Sequence, residues 1–159
     1  MFIYPGGEGT AAEQAAALMA GPGLGKLGIV MGMGGMWSVF LALLLIARQM
    51  AAALEHRGPD DEGIFLDSEV CLALAHRRLS IIDVSKAGHQ PMISANGRYV
   101  ITYNGEIYNF QELRHQLEKL GHQFNGHSDT EVMLSCFVEW GVESSLRRFN
   151  GMFAFSLWD

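Results

Sequence analysis

The chain has 159 residues, which is enough for one domain with a hydrophobic core. Its formal net charge of −6 argues against a nucleic-acid partner, because no basic face could neutralise phosphates. Two cysteines without metal-binding or redox spacing favour a reducing, cytoplasmic setting. No metal site is expected, since the closest pair of histidines, His122 and His127, is typical of solvated loops.

The composition changes sharply along the chain. Residues 1–54 contain only four charged residues, which are Glu8, Glu13, Lys26 and Arg48. Residues 1–26 form a low-complexity segment rich in glycine and alanine, without the basic start and apolar run of a signal peptide. A frameshifted or misassembled gene would explain the change, so this segment is expected to be foreign to the domain that follows.

Residues 27–47 carry no charge and are flanked by Lys26 and Arg48. The length of this stretch meets the requirement for a membrane span. Four glycines in its first half weaken that interpretation. The favoured alternative is a buried strand at 27–31, a glycine turn and a buried helix from about residue 36 to residue 54. A membrane partner is therefore not expected.

Beyond residue 55 the hydrophobic pattern predicts a compact mixed domain. Strands are expected where β-branched and aromatic residues are dense, in IFLD, VCLALAHRRLSIID, RYVITYN and GMFAFSLWD. Loops are expected at HRGPDDEG and AGHQPM, which contain proline and glycine.

Two helices are predicted, in QELRHQLEKLG and in SDTEVMLSCFVEWG, and each ends at a glycine. The first helix has one apolar face, formed by Leu113, Leu117 and Leu120. Two helix-capping pairs are predicted, Asn109 with Glu112 and Ser128 with Glu131.

Four polar clusters lie at the ends of these elements: HRGPDDEG, HRRLS, YNGE and HSDTE. Taken singly, each has a structural explanation. Arg78 could form a surface ion pair, and Asn104 with Gly105 could form only a tight turn. Asp129 could simply stabilise the N-terminus of a helix.

Taken together, six motifs in the same order resemble the glutamine amidotransferase domain of glutamine-hydrolysing asparagine synthetases. They are HRGPDDEG, LAHRRLSIID, AGHQPM, YNGEIYNFQELR, GHSDTEV and GMFAFSLWD. The resemblance is clear from about residue 50, and residues 27–159 are interpreted as a partial class II amidotransferase domain. It implies an α+β fold, the αββα sandwich of N-terminal nucleophile hydrolases, in truncated form. It also implies hydrolysis of glutamine to glutamate and ammonia for transfer to aspartate.

The resemblance implies a binding site for glutamine. Arg78 would bind the α-carboxylate through a bidentate guanidinium pair, which lysine could not reproduce. Asp129 and Glu106 would accept hydrogen bonds from the α-ammonium group. Leu79 and Ile81 would wall the pocket.

The resemblance also implies catalytic groups. The Asn104 side chain and the Gly105 N–H would form the oxyanion hole. The nucleophile of the family is a cysteine at the mature N-terminus, and Leu27 occupies the matching position. Cys71, predicted inside a strand, and Cys136, predicted inside an apolar helix, are expected to be buried and inert. The chain is therefore expected to be inactive in glutamine hydrolysis.

No cofactor is implied for this chain, because ATP and Mg²⁺ would belong to a synthetase domain that the sequence lacks. Two alternatives stay open. One is a non-catalytic glutamine-binding or regulatory module, and the other is a membrane-anchored amidotransferase-like protein.

Overall fold

A computed structural model describes residues 35–80 and 85–159. The predictions for residues 1–26, for the strand at 27–31, and for Leu27 and Ile81 lie outside these ranges. The chain divides into two units at Ala42, and the second unit, Leu43–Asp159, contains all of the described elements except the start of the helix at Gly35–Ala53.

The elements in chain order are α1 (Gly35–Ala53), β1 (Asp61–Asp67), β2 (Leu72–Arg78), β3 (Met92–Ile93), β4 (Val100–Ile107), α2 (Phe110–Lys119), α3 (Asp129–Trp140), α4 (Val142–Leu146) and β5 (Gly151–Trp158). Short 3-10 turns lie at Glu55–Arg57 and Lys86–Gly88. β1 and β2 form an antiparallel hairpin, and β4 is the central strand of an antiparallel β3–β4–β5 sheet. This mixture confirms the predicted α+β class, and two sheets with helices are the components that the predicted sandwich requires.

Helices α2 and α3 cover one face of the three-stranded sheet. The shared core contains Ile101, Tyr103 and Ile107 of β4, Leu113 and Leu117 of α2, and Val132, Met133 and Phe137 of α3. Side chains alternate between the two faces of a strand, so the side chains of Asn104 and Glu106 project from the opposite face of β4. Both side chains are exposed there.

The strand predicted at RYVITYN extends further than expected, because β4 continues through Asn104 and Gly105 to Ile107. The interpretation of these two residues as only a tight turn is therefore wrong. Gly105 has a φ of 150° and faces Phe153 across the ladder. A Cβ at Gly105 would collide with the Met152 carbonyl oxygen and the Phe153 Cα, so the close approach of β5 requires glycine here.

Cys71 lies in the turn of the β1–β2 hairpin and is exposed. The prediction that it is buried inside a strand is wrong, because β2 begins only at Leu72. The register pairs Asp67 with Leu72, and Cys71, the last residue of the turn, has a positive φ of 55°. This left-handed conformation reverses the chain and cannot continue a strand.

The helix predicted from about residue 36 is confirmed as α1, but it is not buried on all sides. Ala47 and Ala51 lie one turn apart on its buried side, whereas the side chains of Leu45 and Met50 are 40% and 65% exposed. The small alanines permit close packing of one face only. Across the described ranges, none of the helices combines the length and apolar character needed to cross a membrane.

Ser128 is confirmed as the cap of α3, because its hydroxyl accepts the Glu131 N–H at 3.3 Å, but the reciprocal half of the predicted pair is replaced by other bonds of Glu131. The Glu131 carboxylate accepts the N–H groups of Asn125 and Gly126 at 2.8 and 2.9 Å. This carboxylate therefore fixes the loop that leads into the helix. Gly141 ends α3 with a φ of 77°, as the sequence predicts.

The capping prediction for α2 is wrong. The Asn109 side chain makes no cap bond, because its backbone is nearly helical, with a φ of −95° and a ψ of 20°. Its amide donates to the Arg148 carbonyl at 3.0 Å and accepts the Asn150 N–H at 2.9 Å. Leu120 lies beyond the last helical residue and is 56% exposed, so only the first two leucines of the predicted face are buried.

We expect Asn109→Ala to lower the free energy of unfolding by about 1–2 kcal/mol, because it removes two bonds that fix the start of β5. Urea unfolding measures this loss. The helix content of α2, seen by circular dichroism, should not change, since Asn109 is not a cap. Asn125→Ala, in an exposed loop, is the matched control and should have little effect. A clear loss of helicity without a loss of stability would restore the capping role.

Candidate functional site

A cavity of about 890 Å³ opens at the end of the β1–β2 hairpin. It is lined by Asp60, Asp61, Arg78, Ser80, Ser85, Lys86 and His89. The lining therefore combines two cationic side chains with two carboxylates and two hydroxyls. A site of this composition suits a small molecule that carries both charges.

Arg78 is the last residue of β2, and its side chain is held in one orientation. The guanidinium Nη1 donates to the Ser85 carbonyl oxygen at 2.9 Å. The group also packs directly on Gly88, where a Cβ would collide with Nη2. Arg78 is only 9% exposed. The loop after β2 thus fixes the plane of the guanidinium in advance of any ligand.

His89 anchors the same loop to β1. Its Nδ1 lies 2.7 Å from Asp61 Oδ2, and its ring lies against Gly63, where a Cβ would come within 2.8 Å. Burial alone would raise the pKa of the Asp61 carboxyl, but the hydrogen bond and charge of His89, the Glu62 N–H and the charge of Arg78 together lower that pKa. The carboxylate is therefore ionised over the ordinary pH range.

We expect the free energy of unfolding to decrease in mild acid because of His76, which lies on β2. Burial, and then the charge of Arg78, lower the pKa of His76 from 6.5 to about 4. The unfolded chain takes up this proton as the pH falls below 6.5, whereas the folded chain resists until about pH 4. His76 therefore has no effect on the free energy of unfolding above this pH range, and it lowers that free energy as the pH falls from 6.5 to about 4. We expect a loss of about 2 kcal/mol, less than the full shift implies because the ring is only half-buried.

Urea unfolding between about pH 7 and pH 4.5 measures this loss. His76→Gln should remove this part of the pH dependence, while His115→Gln, on the exposed face of α2, should retain it. An unchanged pH profile for His76→Gln would assign the acid sensitivity to other groups.

One edge of β4 carries the predicted oxyanion donor. The Tyr103 N–H donates to Gln90 Oε1 at 2.7 Å, and the Ile107 N–H donates to Asp129 Oδ2 at 3.0 Å. Because N–H groups alternate along a strand, the Gly105 N–H lies on this same edge, between the two anchored groups. The Gly105 N–H, the predicted donor, is therefore flanked along the strand by two N–H groups whose positions are fixed by hydrogen bonds.

Asp129 begins α3 and is buried, with 5% exposure. Its Oδ2 accepts the Tyr103 hydroxyl at 2.7 Å as well as the Ile107 N–H. Burial, and then this bond to Asp129, raise the pKa of Tyr103, so the phenol stays a neutral donor. A substrate ammonium group would have to use Oδ1, because Oδ2 already has two donors.

The structure brings some predicted site residues together and separates others. Arg78 lines the cavity, and β2 lies beside β4. Asn104 and Glu106 are exposed on the face of β4 opposite Tyr103, whereas Asp129 binds on the core side. Leu79 follows β2 and is 56% exposed. The roles of these residues stay predictions.

Neither cysteine lies where a nucleophile would be needed. Cys71 is at the far end of the hairpin from Arg78, about 20 Å away along a strand of this length. Cys136 is fully buried in α3, and burial raises the pKa of its thiol to about 12. Its predicted burial is confirmed, and the raised pKa suppresses the reactive thiolate.

Sequence reasoning missed Asp61, His89 and Gln90 as site residues. Asp61 belongs to HRGPDDEG, a predicted loop whose end forms the start of β1, and His89 and Gln90 belong to the predicted turn AGHQPM. The available signal was the concentration of polar side chains in AGHQPM, between a predicted strand carrying Arg78 and a predicted strand carrying Asn104. Polar side chains in a loop that joins two such strands can form hydrogen bonds that fix the positions of both strands.

Comparison with known protein families decides the assignment. Residues 30–159 match the model of the glutamine amidotransferase domain. The chain belongs to this family. The sequence resemblance is thereby confirmed, and the α+β architecture is the fold of a glutamine amidotransferase domain.

Relatives of this glutamine amidotransferase domain include large enzymes. The chain is 45% identical over 114 residues to asparagine synthetase (glutamine-hydrolysing) 1 of Bacillus subtilis (strain 168), covering 72% of the chain and 17% of that protein. It is 43% identical over 113 residues to asparagine synthetase B (glutamine-hydrolysing) of Escherichia coli (strain K12), covering 71% and 20%. A putative asparagine synthetase of Methanocaldococcus jannaschii is 39% identical over 127 residues, covering 70% and 24%. The chain thus spans about a fifth of the length of these relatives.

Proposed function

We propose that this amidotransferase domain binds L-glutamine in the cavity beside Arg78, as the glutaminase part of an asparagine synthetase. The observation that carries the proposal is the oriented, nearly buried guanidinium of Arg78 in a cavity of mixed charge. Glutamine carries an α-carboxylate and an α-ammonium group at neutral pH. A planar guanidinium binds a carboxylate through two parallel hydrogen bonds, and nearby carboxylates balance the ammonium.

The β4 edge supports acyl-transfer chemistry, and β4 is in contact with β2, the strand that ends at Arg78. The Gly105 N–H is fixed between two anchored neighbours, and the Asn104 amide is exposed on the same strand. Two such donors would stabilise the oxyanion formed when a nucleophile attacks the glutamine amide, and each would lower the barrier by roughly 3 kcal/mol. The ammonia released would be transferred to aspartate by the whole enzyme, with ATP and Mg²⁺ used outside this domain. A cytoplasmic setting fits this chemistry.

We expect no glutamine hydrolysis by the chain with the present sequence. Leu27 matches the position of the family's nucleophile, and the described thiols are either distant or buried. An ammonia-release assay with L-glutamine should give only the uncatalysed rate. Release that disappears in Cys71→Ala or Cys136→Ala would identify the nucleophile that this account does not assign.

The distance of Cys71 from Arg78 and the burial of Cys136 also favour the second candidate, a non-catalytic glutamine-binding module. Calorimetric titration with L-glutamine tests the binding that both candidates share, and both predict only the uncatalysed rate in the ammonia assay. Asn104→Ala should bind L-glutamine nearly as tightly as the wild type, because its amide acts mainly on the transition state. A folded chain that takes up no L-glutamine would reject both candidates.

A further inference from the structure

We propose that Gln90 is a positioning residue for the oxyanion edge of β4, an inference that rests on the proposed function. Gln90 lies in the loop between the cavity and β3, and it is only 7% exposed. Its Oε1 accepts the Tyr103 N–H at 2.7 Å, and its Nε2 lies 3.5 Å from Thr130 Oγ1. One side chain therefore joins β4 to the first turn of α3.

The register of the sheet explains why a side chain is needed. Met92 pairs with Ile101 and Ile93 with Val100. The same register would place residue 90 opposite Tyr103, but β3 begins only at Met92 and Pro91 has no N–H. The Gln90 side-chain oxygen takes the place of the missing ladder carbonyl. Without it, a buried backbone N–H would have no acceptor.

The segment around Gln90 also holds the carboxylate-binding side of the cavity. Ser85 and Gly88 fix the Arg78 guanidinium, and His89 bonds to Asp61 of β1. His89 and Gln90 are consecutive, so one short loop is fastened to the hairpin and to β4 at neighbouring positions. The distance between the Arg78 guanidinium and the β4 edge is set through this loop.

The geometry makes the Gly105 N–H the point that Gln90 controls. Tyr103 is fixed by Gln90 and Ile107 by Asp129, and Gly105 lies midway between them. An oxyanion donor must be held to within about 0.5 Å to be effective. Loss of the bond at Tyr103 would release one end of this short segment while Asp129 still holds the other.

Amide hydrogen exchange of the full chain tests the positioning directly. In Gln90→Met, exchange at Tyr103 and Gly105 should be at least about tenfold faster, relative to the amides of the α3 core. Gln90→Glu keeps an acceptor oxygen and should restore most of the protection at Tyr103. Gln111→Met, an exposed substitution of the same kind, should have no effect.

A second variant separates positioning from a general loss of stability. Ser145→Ala removes buried bonds to the Cys136 and Gly141 carbonyls, far along α3 from the β4 edge. It should accelerate exchange without singling out Tyr103 and Gly105. A uniform acceleration in Gln90→Met, matching that of Ser145→Ala, would overturn the inference.

Ligand titration distinguishes failure of this inference from failure of the proposed function. L-norvaline has the α-groups of glutamine but no side-chain carbonyl. In Gln90→Met, bound L-glutamine should protect the Gly105 amide less than it does in the wild type, and L-norvaline should protect this amide in neither protein. The affinities for both ligands should stay nearly unchanged, because the oxyanion donors act mainly on the transition state. Binding of L-glutamine by the wild type, with the same exchange at Tyr103 and Gly105 in Gln90→Met as in the wild type, rejects the role of Gln90 alone. No binding by the wild type rejects the proposed function, and the positioning role falls with it.

Discussion

Replacing Arg78 with methionine should weaken L-glutamine binding by about 100-fold or more. Two charge-assisted hydrogen bonds to the α-carboxylate would be lost, and each contributes about 1.5–3 kcal/mol. Arg78 is 9% exposed and held by Ser85 and Gly88, so little ordering entropy opposes its use in the wild type. Calorimetric titration gives the two affinities.

The neighbouring arginine provides a matched control. Arg77 donates to the Gly58 carbonyl at 3.0 Å and to Glu62, and it does not line the cavity. Arg77→Met should therefore leave L-glutamine affinity within about twofold, while it lowers stability slightly. Arg78→Lys should retain charge but lose the bidentate geometry, with an intermediate affinity. Equal affinities of wild type and Arg78→Met would place the binding site elsewhere.

Replacing Asp129 with alanine should lower the free energy of unfolding by about 3–5 kcal/mol. The change leaves the Tyr103 hydroxyl and the Ile107 N–H without their acceptor, and each unsatisfied buried donor costs about 1–3 kcal/mol. It also removes an acidic group from the first turn of α3, where a negative charge is favourable. Urea or thermal unfolding measures the loss.

Two further variants isolate the cause of this destabilisation. Asp129→Asn keeps an acceptor oxygen and should lose less than half as much stability. Tyr103→Phe should cost about 1–2 kcal/mol alone and much less in the Asp129→Ala background, because the two residues share one bond. A loss below about 1 kcal/mol for Asp129→Ala would mean that water replaces the carboxylate as the acceptor, and that Asp129 contributes little to stability.

The sequence predicts elements well where hydrophobic alternation decides the structure. The strands at IFLD and GMFAFSLWD and the helix beginning at Asp129 follow from local pattern and capping. Asn109 was misinterpreted because its side chain bonds to residues 148 and 150, far along the sequence. Capping rules use only local neighbours, so a tertiary partner can override them.

The candidate site shows the same division. The roles predicted for Arg78, Asn104 and Gly105 follow from the family resemblance of the motifs that contain them. The contributions of His89 and Gln90 depend on Asp61 and Tyr103, which lie 28 and 13 residues away. Cys71 was placed in a strand because its apolar neighbours continue the pattern, and only the hairpin register shows the turn. Loop contacts of this kind require the fold before they can be seen.

The most direct test of the account is an amide and guanidinium NMR spectrum of the isotope-labelled chain, recorded with increasing L-glutamine. The account predicts saturable shifts at the Arg78 Nε–H, the Gly105 N–H and the Asn104 side-chain amide, with little change at Arg77. L-norvaline should shift only the Arg78 signal. A folded chain whose Arg78 and Gly105 signals do not move with L-glutamine, or whose shifts cluster in another part of the molecule, would contradict the proposed site.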